Sequence, residues 1–145
     1  MPVYRPQPAP PAGSFRLLYG RSPLHTFGRT QNNPILFDLE PGNVLWIHPQ
    51  RAAALGLKDG DPVLVRNAHG DATGPLPAKL TERMSEDAVY MVHGFGHRAP
   101  GLTRTHGRGG DDTALIRGYA VDAMSGATGM RTEFVTVERA AAGRR

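Results

Sequence analysis

Glycine and proline interrupt this sequence at short intervals, and no other feature restricts its fold as strongly. The chain has 18 glycines and 13 prolines among its 145 residues. Glycine favours turns, and proline is disfavoured inside helices and central strands, so we expect short elements joined by many turns. Together with the length, this pattern predicts one mainly β domain with short helices, closer to a barrel than to a helix bundle.

Short apolar segments between the turns predict about six strands. We also expect a helix that starts at Pro49 and stops at Gly56, and a short one that Asp111 or Asp112 caps. Residues 1–14 are Pro-rich and predict an extended linker or tail, residues 15–138 form the barrel, and residues 139–145 are a frayed tail. The predicted strands are residues 15–19, 44–47, 62–66, 76–81, 88–92 and 131–137.

The composition excludes several classes of site. Because the chain has no cysteine, it cannot by itself hold a disulfide, a thiolate metal site or an iron–sulfur cluster. No apolar run approaches the length of a membrane span, and residues 1–14 lack the apolar core of a secretory signal. The sequence is compatible with two compartments: the cytoplasm if the chain is independent, and the periplasm if it is part of an exported enzyme.

The basic residues are nearly all arginines. The net charge is +4, and only Lys58 and Lys79 are lysines among the 17 basic residues. A GC-rich genome explains this bias, but so does recognition of phosphates and planar polar rings, which arginine binds better than lysine. Nucleic-acid binding is disfavoured, because the arginines are scattered rather than clustered in a stripe.

Polar, glycine-containing segments lie beside the predicted strand ends, and we name them the first loop (residues 20–34), the second loop (93–110) and the third loop (123–130). Loops at strand ends can converge on one rim of a barrel, where their donors suit an anionic ligand rich in heteroatoms. Thr30, Asn32 and Asn33 also suit ordinary turns and helix caps. Likewise, His48 suits a helix start, and Trp46 and Phe95 suit packing.

A zinc site is an alternative for the second loop. His93 and His97 are four residues apart, with His106 or Asp111 as a third candidate ligand. On a helix this spacing places two imidazoles on one face, but the glycines in "HGFGH" disfavour a helix.

Taken in order, four segments resemble a known family: "GRSPLHTFGRTQNNP", "NVLWIHPQRAAALGLKDGDPVLVRNAHG", "DAVYMVHGFGH" and "DAMSGATGM". They resemble the C-terminal molybdopterin-dinucleotide-binding domain of the dimethyl-sulfoxide-reductase superfamily. Within it, they are most similar to the thiosulfate and polysulfide reductase branch. The resemblance covers residues 15–137, and the succession of motifs is more specific than any one of them.

The resemblance implies a double-psi β-barrel and a molybdopterin guanine dinucleotide that carries molybdenum or tungsten. The first loop would line the pterin and pyrophosphate path, the start of the second loop would form another wall, and Asp112 with the third loop would complete the site. No catalytic residue or metal ligand is implied within this chain. The implied cofactor-binding residues are Arg21, Ser22, His25, Thr26, Thr30, Asn32, Asn33, His93, Gly94, Phe95, Gly96, Asp112, Ser125, Gly126 and Met130.

The resemblance also implies a partner. In this family the metal ligand and the iron–sulfur cysteines belong to a larger N-terminal portion, so this chain would not be redox-competent alone. We expect either the C-terminal part of a longer catalytic chain or a small subunit, an arrangement similar to that of formylmethanofuran dehydrogenases. The alternatives are a stand-alone barrel that acts as a DNA-binding or adaptor module, and a remnant without function.

Overall fold

Short strands dominate the computed structural model, which describes Tyr4 and residues 6–129 and 133–141. The longest strand has 9 residues and neither α-helix exceeds 6. Two single-turn 3-10 helices span Phe27–Arg29 and Thr113–Leu115. The α-helices are α1 (Pro34–Leu39) and α2 (Pro49–Ala54), and the strands are β1 (Phe15–Gly20), β2 (Leu45–Ile47), β3 (Pro62–Asn67), β4 (Ala72–Leu80), β5 (Ala88–Val92), β6 (Ala120–Val121), β7 (Thr128–Gly129) and β8 (Phe134–Arg139).

The longer strands close into a barrel in the order β1-β5-β2-β4-β3-β8, and β6 pairs with β7 in a separate hairpin. Strands β1 and β5 run parallel, as do β2 and β4, and the other barrel pairs are antiparallel. The mainly β fold with short helices is confirmed, and so is the double-psi β-barrel that the resemblance implied. No helix in the described part of the chain is long and apolar enough to cross a membrane.

Alternate residues of each strand fill the barrel interior. Leu45 and Ile47 of β2 are fully buried, whereas Trp46 between them faces outward and is half-buried. This alternation follows from the period of two in a strand, which sends successive side chains to opposite faces. Leu115, from the 3-10 helix, joins the same core with no exposed surface.

The parallel pairing of β1 with β5 places the starts of the first two loops next to each other. Gly20, at the end of β1, is in register with Val92, at the end of β5. The His93 N–H then donates to the Gly20 carbonyl at 2.8 Å. Because the carboxyl ends of parallel neighbours meet at one edge, the first and second loops leave the barrel side by side.

Helix α1 was not among the predicted elements, and it contains the apolar residues 35–37 directly after the first loop. Asn33 caps it, since its Oδ1 accepts from the N–H groups of Ile35 (3.0 Å) and Leu36 (3.2 Å). Pro34 stands at the first helical position, where its missing N–H leaves no bond unmade. The helix leaves Ile35 and Leu39 largely exposed.

Strand β4 starts at Ala72, earlier than the predicted residue 76. The Oδ1 of Asn67 accepts from the N–H groups of His69 and Asp71, both at 2.9 Å, and so closes a tight turn. Gly70 supplies the positive φ of +91° that such a turn needs. The chain therefore returns to the sheet within a few residues.

The ends of the other elements differ slightly from expectation. The short helix after Asp112 is a single 3-10 turn, and Asp111 rather than Asp112 accepts from its Thr113 N–H, at 2.9 Å. Strand β8 runs to Arg139, and the Ala140 N–H donates to the Pro62 carbonyl at 2.9 Å. Residues 131 and 132 of the last predicted strand and residues 142–145 of the predicted tail lie outside the described residues.

Candidate functional site

Ser22 sets the shape of the first loop directly after β1. Its Oγ accepts from the N–H groups of Leu24 at 3.0 Å and His25 at 3.2 Å, and its hydroxyl donates to the Glu40 carboxylate. This is the local turn chemistry typical of serine. It ties the start of the loop to the residue that follows α1.

His25 lies inside the first loop and is only 5% exposed. Its Nε2 lies 3.0 Å from the Glu40 carbonyl oxygen, which can only accept, so Nε2 carries a proton. The Thr30 hydroxyl is 3.3 Å from Nδ1, and the Thr30 Oγ1 also accepts from the Thr26 N–H at 2.9 Å. These three predicted ligand residues therefore bond to the loop itself, while their contact with a cofactor stays a prediction.

The two asparagines of the first loop have structural partners as well. Asn33 caps α1, as described above. The Oδ1 of Asn32 accepts from the Arg104 N–H at 2.9 Å and thereby joins the first loop to the second. The interpretation as a cap residue agrees with the bonds of Asn33, whereas Asn32 makes a long-range contact rather than a turn or a cap.

Asn43, which the sequence analysis did not single out, fastens the second loop at both ends. It is 2% exposed, and its Nδ2 donates to the carbonyls of Val92 (2.8 Å) and Gly110 (2.9 Å). Its Oδ1 accepts from the Gly110 N–H at 2.8 Å. No local signal marks this residue, because its partners lie 49 and 67 positions along the chain.

The glycines of "HGFGH" are required by close backbone approaches, that of Gly94 to the first loop and that of Gly96 to Asp111. Gly94 has a φ of +96°, and a Cβ there would lie 2.8 Å from the backbone N of Gly28 and 2.9 Å from the carbonyl carbon of Phe27. Gly96 has a φ of +80°, and a Cβ there would lie 2.6 Å from the Asp111 backbone N. Only glycine fits such close approaches at positive φ, so the first two loops are interlocked.

The His93 imidazole is held by a buried carboxylate. Asp112 has no exposed surface, and its Oδ2 and Oδ1 lie 2.8 Å and 3.1 Å from the His93 Nδ1. The Oδ1 also accepts a long bond of 3.4 Å from the Gly94 N–H. The rings of Tyr19 and Phe27 flank the imidazole, with centroids 6.0 Å and 5.4 Å away.

A cavity of about 390 Å³ opens where the first two loops meet. The cavity brings together four of the predicted residues, all from the start of the second loop: His93, Gly94, Phe95 and Gly96. Arg21 instead lines a neighbouring cavity of about 610 Å³ on the outer face of β2, β4 and β5. The smaller cavity, which we name the loop cavity, is lined by Gly28, His93, Gly94, Phe95, Gly96, His97, Arg98, Asp111 and Thr113.

The donors around the loop cavity suit a polar, anionic group. His97 has a buried Nε2 for which the described residues offer no hydrogen-bond partner, and this residue lines the cavity beside Arg98. The Arg21 guanidinium stacks over Phe27, 5.0 Å from the ring centroid. The unpaired ring nitrogen and the Arg98 guanidinium at the loop cavity, together with the Arg21 guanidinium of the neighbouring cavity, fit the phosphates and heteroatom edges of a pterin dinucleotide.

The zinc alternative has less support from this geometry. His93 turns its Nδ1 to Asp112, and His97 packs against Gly28, where a Cβ would lie 2.8 Å from the imidazole Cε1. Within the described residues, no group of three or more histidine, aspartate or glutamate side chains is arranged to hold a metal ion.

The third loop forms the tip of the β6–β7 hairpin. The Asp122 Oδ1 accepts from the N–H groups of Met124 (3.1 Å) and Ser125 (2.7 Å) and from the Ser125 hydroxyl (2.8 Å). The bonds from Ser125, followed by that from Met124, lower the pKa of the Asp122 carboxyl below its ordinary value. Ser125 and Gly126 are exposed and line neither cavity described above, and Met130 lies outside the described residues.

An ion pair lies just before this hairpin. The Arg117 guanidinium donates to both carboxylate oxygens of Asp71, through Nε at 2.6 Å and through Nη2. Bonds from Arg117, followed by one from Asn67, hold the pKa of the Asp71 carboxyl well below its ordinary range. The root of the hairpin is thereby tied to the β3–β4 turn.

The family model described as "Molydopterin dinucleotide binding domain" matches residues 15–132. The chain belongs to this family. A curated relative is the thiosulfate reductase molybdopterin-containing subunit PhsA of Salmonella typhimurium, 37% identical over 92 residues. The match covers 62% of this chain and only 12% of that protein, so the domain spans a small part of its relative's length.

A solved structure supports the fold. Acetylene hydratase from Pelobacter acetylenicus is similar to this domain with a TM-score of 0.70 and 21% sequence identity. The match covers 87% of this chain and 18% of the hydratase chain. At this identity the likeness establishes the barrel fold alone. The domain is thus related to parts of larger molybdoenzyme chains.

Proposed function

We propose that this domain binds a molybdopterin guanine dinucleotide with the first two loops and works as part of a molybdenum or tungsten oxidoreductase. The strongest support is that both loops lie within the residues that match the molybdopterin dinucleotide-binding family. They leave β1 and β5 at one edge of the barrel and both contribute to the loop cavity, which His93, His97 and Arg98 line with polar side chains. When bound, the cofactor supplies the redox chemistry of its metal.

The chain's own residues would bind and orient that cofactor. Arginine forks and backbone N–H groups suit a pyrophosphate, and imidazole nitrogens suit the heteroatom edges of a pterin. Ser22, His25, Thr26, Thr30, Asn32 and Asn33 would act partly by holding the loop that presents Arg21, because each makes a hydrogen bond within the chain through a side-chain or backbone atom. Ser125 and Gly126 of the hairpin, together with Met130, would complete the site, as the resemblance implies.

A larger chain with cysteines would supply the metal ligand and the electron relay, either as the rest of one polypeptide or as a separate subunit. The similarity to the thiosulfate reductase subunit supports an inorganic sulfur compound, such as thiosulfate or polysulfide, as substrate of that assembly. Since this chain matches only 12% of that relative, substrate selection would depend largely on the other portion.

Isolation from the native host tests the proposal. We expect a tagged copy to co-purify with a large cysteine-containing chain, and the complex to release a fluorescent pterin after oxidative extraction. Acid hydrolysis with chromatography of the released nucleotide identifies the guanine form, and elemental analysis distinguishes molybdenum from tungsten. A tagged chain that brings down neither the partner nor a pterin would disprove the proposal.

A pair of arginine variants locates the site within that complex. Arg21→Ala removes a cation beside the loop cavity, and we expect about tenfold weaker cofactor retention, the effect of one lost charge-assisted hydrogen bond. Arg66→Ala is the control, since Arg66 lies on β3 and pairs with Glu138 at 2.9 Å. Equal pterin content in both variants would contradict the proposed role of Arg21.

The purified chain also allows a test of the DNA-binding alternative. Several described arginines already have partners, as in the pairs of Arg66 with Glu138 and Arg117 with Asp71. We therefore expect no DNA binding with the steep salt dependence that many phosphate contacts produce. Tight, salt-dependent binding would favour the adaptor interpretation instead.

A further inference from the structure

Asp112 was implied as a cofactor ligand, but its side chain is completely buried. The contacts of its carboxylate are the His93 Nδ1, at 2.8 Å and 3.1 Å, and the Gly94 N–H, at 3.4 Å. A buried side chain in this position acts on a ligand through its neighbours. The neighbour that lines the loop cavity with a titratable ring is His93.

We propose that Asp112 is a positioning residue that keeps the proton of the neutral His93 ring on Nδ1 and presents Nε2 to the loop cavity. An ionised carboxylate can only accept, so the Nδ1 that faces it must donate. The two ring nitrogens lie on different sides of the imidazole. Because Nδ1 points inward to Asp112, Nε2 lies on the outer side of the ring. The 29% exposure of the His93 side chain agrees with this orientation.

The surroundings of the ring favour this one orientation. The Phe27 ring packs edge to face against the imidazole with an interplanar angle of 80°, and the plane of the Tyr19 ring is tilted by 39° from the imidazole plane. The same carboxylate holds the Gly94 N–H, so one buried side chain fixes both the ring and the backbone turn that follows it. The neutral ring then offers the ligand an acceptor at Nε2.

The identity of the ligand rests on the proposed function, whereas the tautomer of His93 does not. His25 provides an internal reference of the opposite kind, because its Nε2 donates to the Glu40 carbonyl at 3.0 Å. The structure therefore assigns opposite neutral tautomers to two histidines of the same site. Both can be observed in a single spectrum of the full 145-residue chain.

Nitrogen-15 NMR of the imidazoles at alkaline pH tests the assignment, since it identifies which ring nitrogen carries the proton. We expect the Nδ1–H tautomer for His93 and the Nε2–H tautomer for His25, with signals assigned from single His→Ala variants. In Asp112→Asn, the amide oxygen can keep the Gly94 N–H and the amide NH₂ then faces the ring, so His93 inverts to Nε2–H. A wild-type His93 with its proton on Nε2, or an Asp112→Asn spectrum unchanged from wild type, would overturn the proposal.

Asp59→Asn is the matched control, because Asp59 also holds a backbone N–H, that of Leu80 at 2.8 Å, outside the loop cavity. It should leave both tautomers unchanged. In the host complex, we expect about tenfold weaker pterin retention for Asp112→Asn and wild-type retention for Asp59→Asn. Full retention in a variant with an inverted tautomer would refute the link between ring orientation and ligand. Full retention in His93→Ala would count against the proposed function while leaving the tautomer assignment intact.

Discussion

The first two loops and the β6–β7 hairpin are both polar and rich in glycine, but they use their polar side chains differently. Asn32 of the first loop bonds to Arg104 of the second, and Asn43, which lies outside both loops, bonds to Gly110 at the end of the second. In the hairpin, the bonds of Asp122 and Ser125 stay within a few residues. Similar composition thus yields interlocked, partly buried loops in one place and an exposed, locally bonded turn in the other.

This difference affects how variants of the site are interpreted. Substitutions in the first two loops should lower the stability of the whole domain, because those loops bury side chains against each other. Substitutions in the hairpin should leave the stability of the barrel nearly unchanged. For a variant in the first two loops, a loss of bound cofactor therefore reports on the binding site only when the variant is shown to be folded.

The largest effect is expected from a glycine substitution that breaks the contact between the loops. Gly94→Ala places a Cβ 2.8 Å from the Gly28 backbone N at a φ of +96°. We expect the free energy of unfolding, measured in urea, to fall by about 3 kcal/mol from strain and overlap. Gly126→Ala is the hairpin control: its φ is +68°, but nothing lies within 4 Å of the new Cβ, so only the left-handed strain of about 1 kcal/mol remains. Equal losses would mean that the loops are not interlocked.

Asn43→Ala should have the next largest effect. It leaves the Val92 carbonyl and both backbone groups of Gly110 without their bonds, and we expect a loss of about 2 kcal/mol in unfolding free energy. Asn67→Ala removes an equally buried asparagine outside the two loops, at the β3–β4 turn. Hydrogen exchange distinguishes the two: only Asn43→Ala should accelerate exchange at the Gly110 N–H. Slow exchange there would show that Asn43 does not fasten the second loop.

A helix cap provides a milder test within the first loop. Asn33→Ala removes the Oδ1 that accepts from Ile35 and Leu36, and we expect about 1 kcal/mol of destabilisation. Asn33→Ser keeps a capping oxygen and should restore most of the loss. If the serine variant is as unstable as the alanine variant, Asn33 has a role beyond the cap.

The smallest effect is a pH dependence confined to the hairpin. The bonds from Ser125 and Met124 lower the pKa of Asp122 in the folded state. Because this pKa is lower in the folded than in the unfolded chain, the ionised carboxylate stabilises the turn at pH values above the unfolded-state pKa. This contribution is lost as the pH falls through the folded-state pKa. An NMR titration should therefore show the Asp122 carboxyl protonating at lower pH than in Ser125→Ala, with the barrel resonances unmoved. A titration unaffected by the substitution would contradict the assigned bonds.

Short apolar segments between turns predicted the barrel strands. They did not predict β6 and β7, since two-residue strands show no periodicity. Helix α1 carried a readable signal, Asn33 followed by Pro34, but its apolar residues are largely exposed and form no buried face. The resemblance identified the family, and four of the residues that it implied, His93, Gly94, Phe95 and Gly96, line the loop cavity, while their contact with a cofactor stays a prediction. The bonds of Asn43 and Asp112 depend on distant partners that no local pattern reveals.

The bond between the His93 N–H and the Gly20 carbonyl joins residues 73 positions apart. Such a contact belongs to the folded barrel rather than to a local segment, so it fixes the starts of the two loops without a ligand. A cofactor would then meet a preorganised surface and lose little affinity to the entropy of ordering it. Maturation of the enzyme would accordingly be an insertion into a finished domain rather than folding around the cofactor.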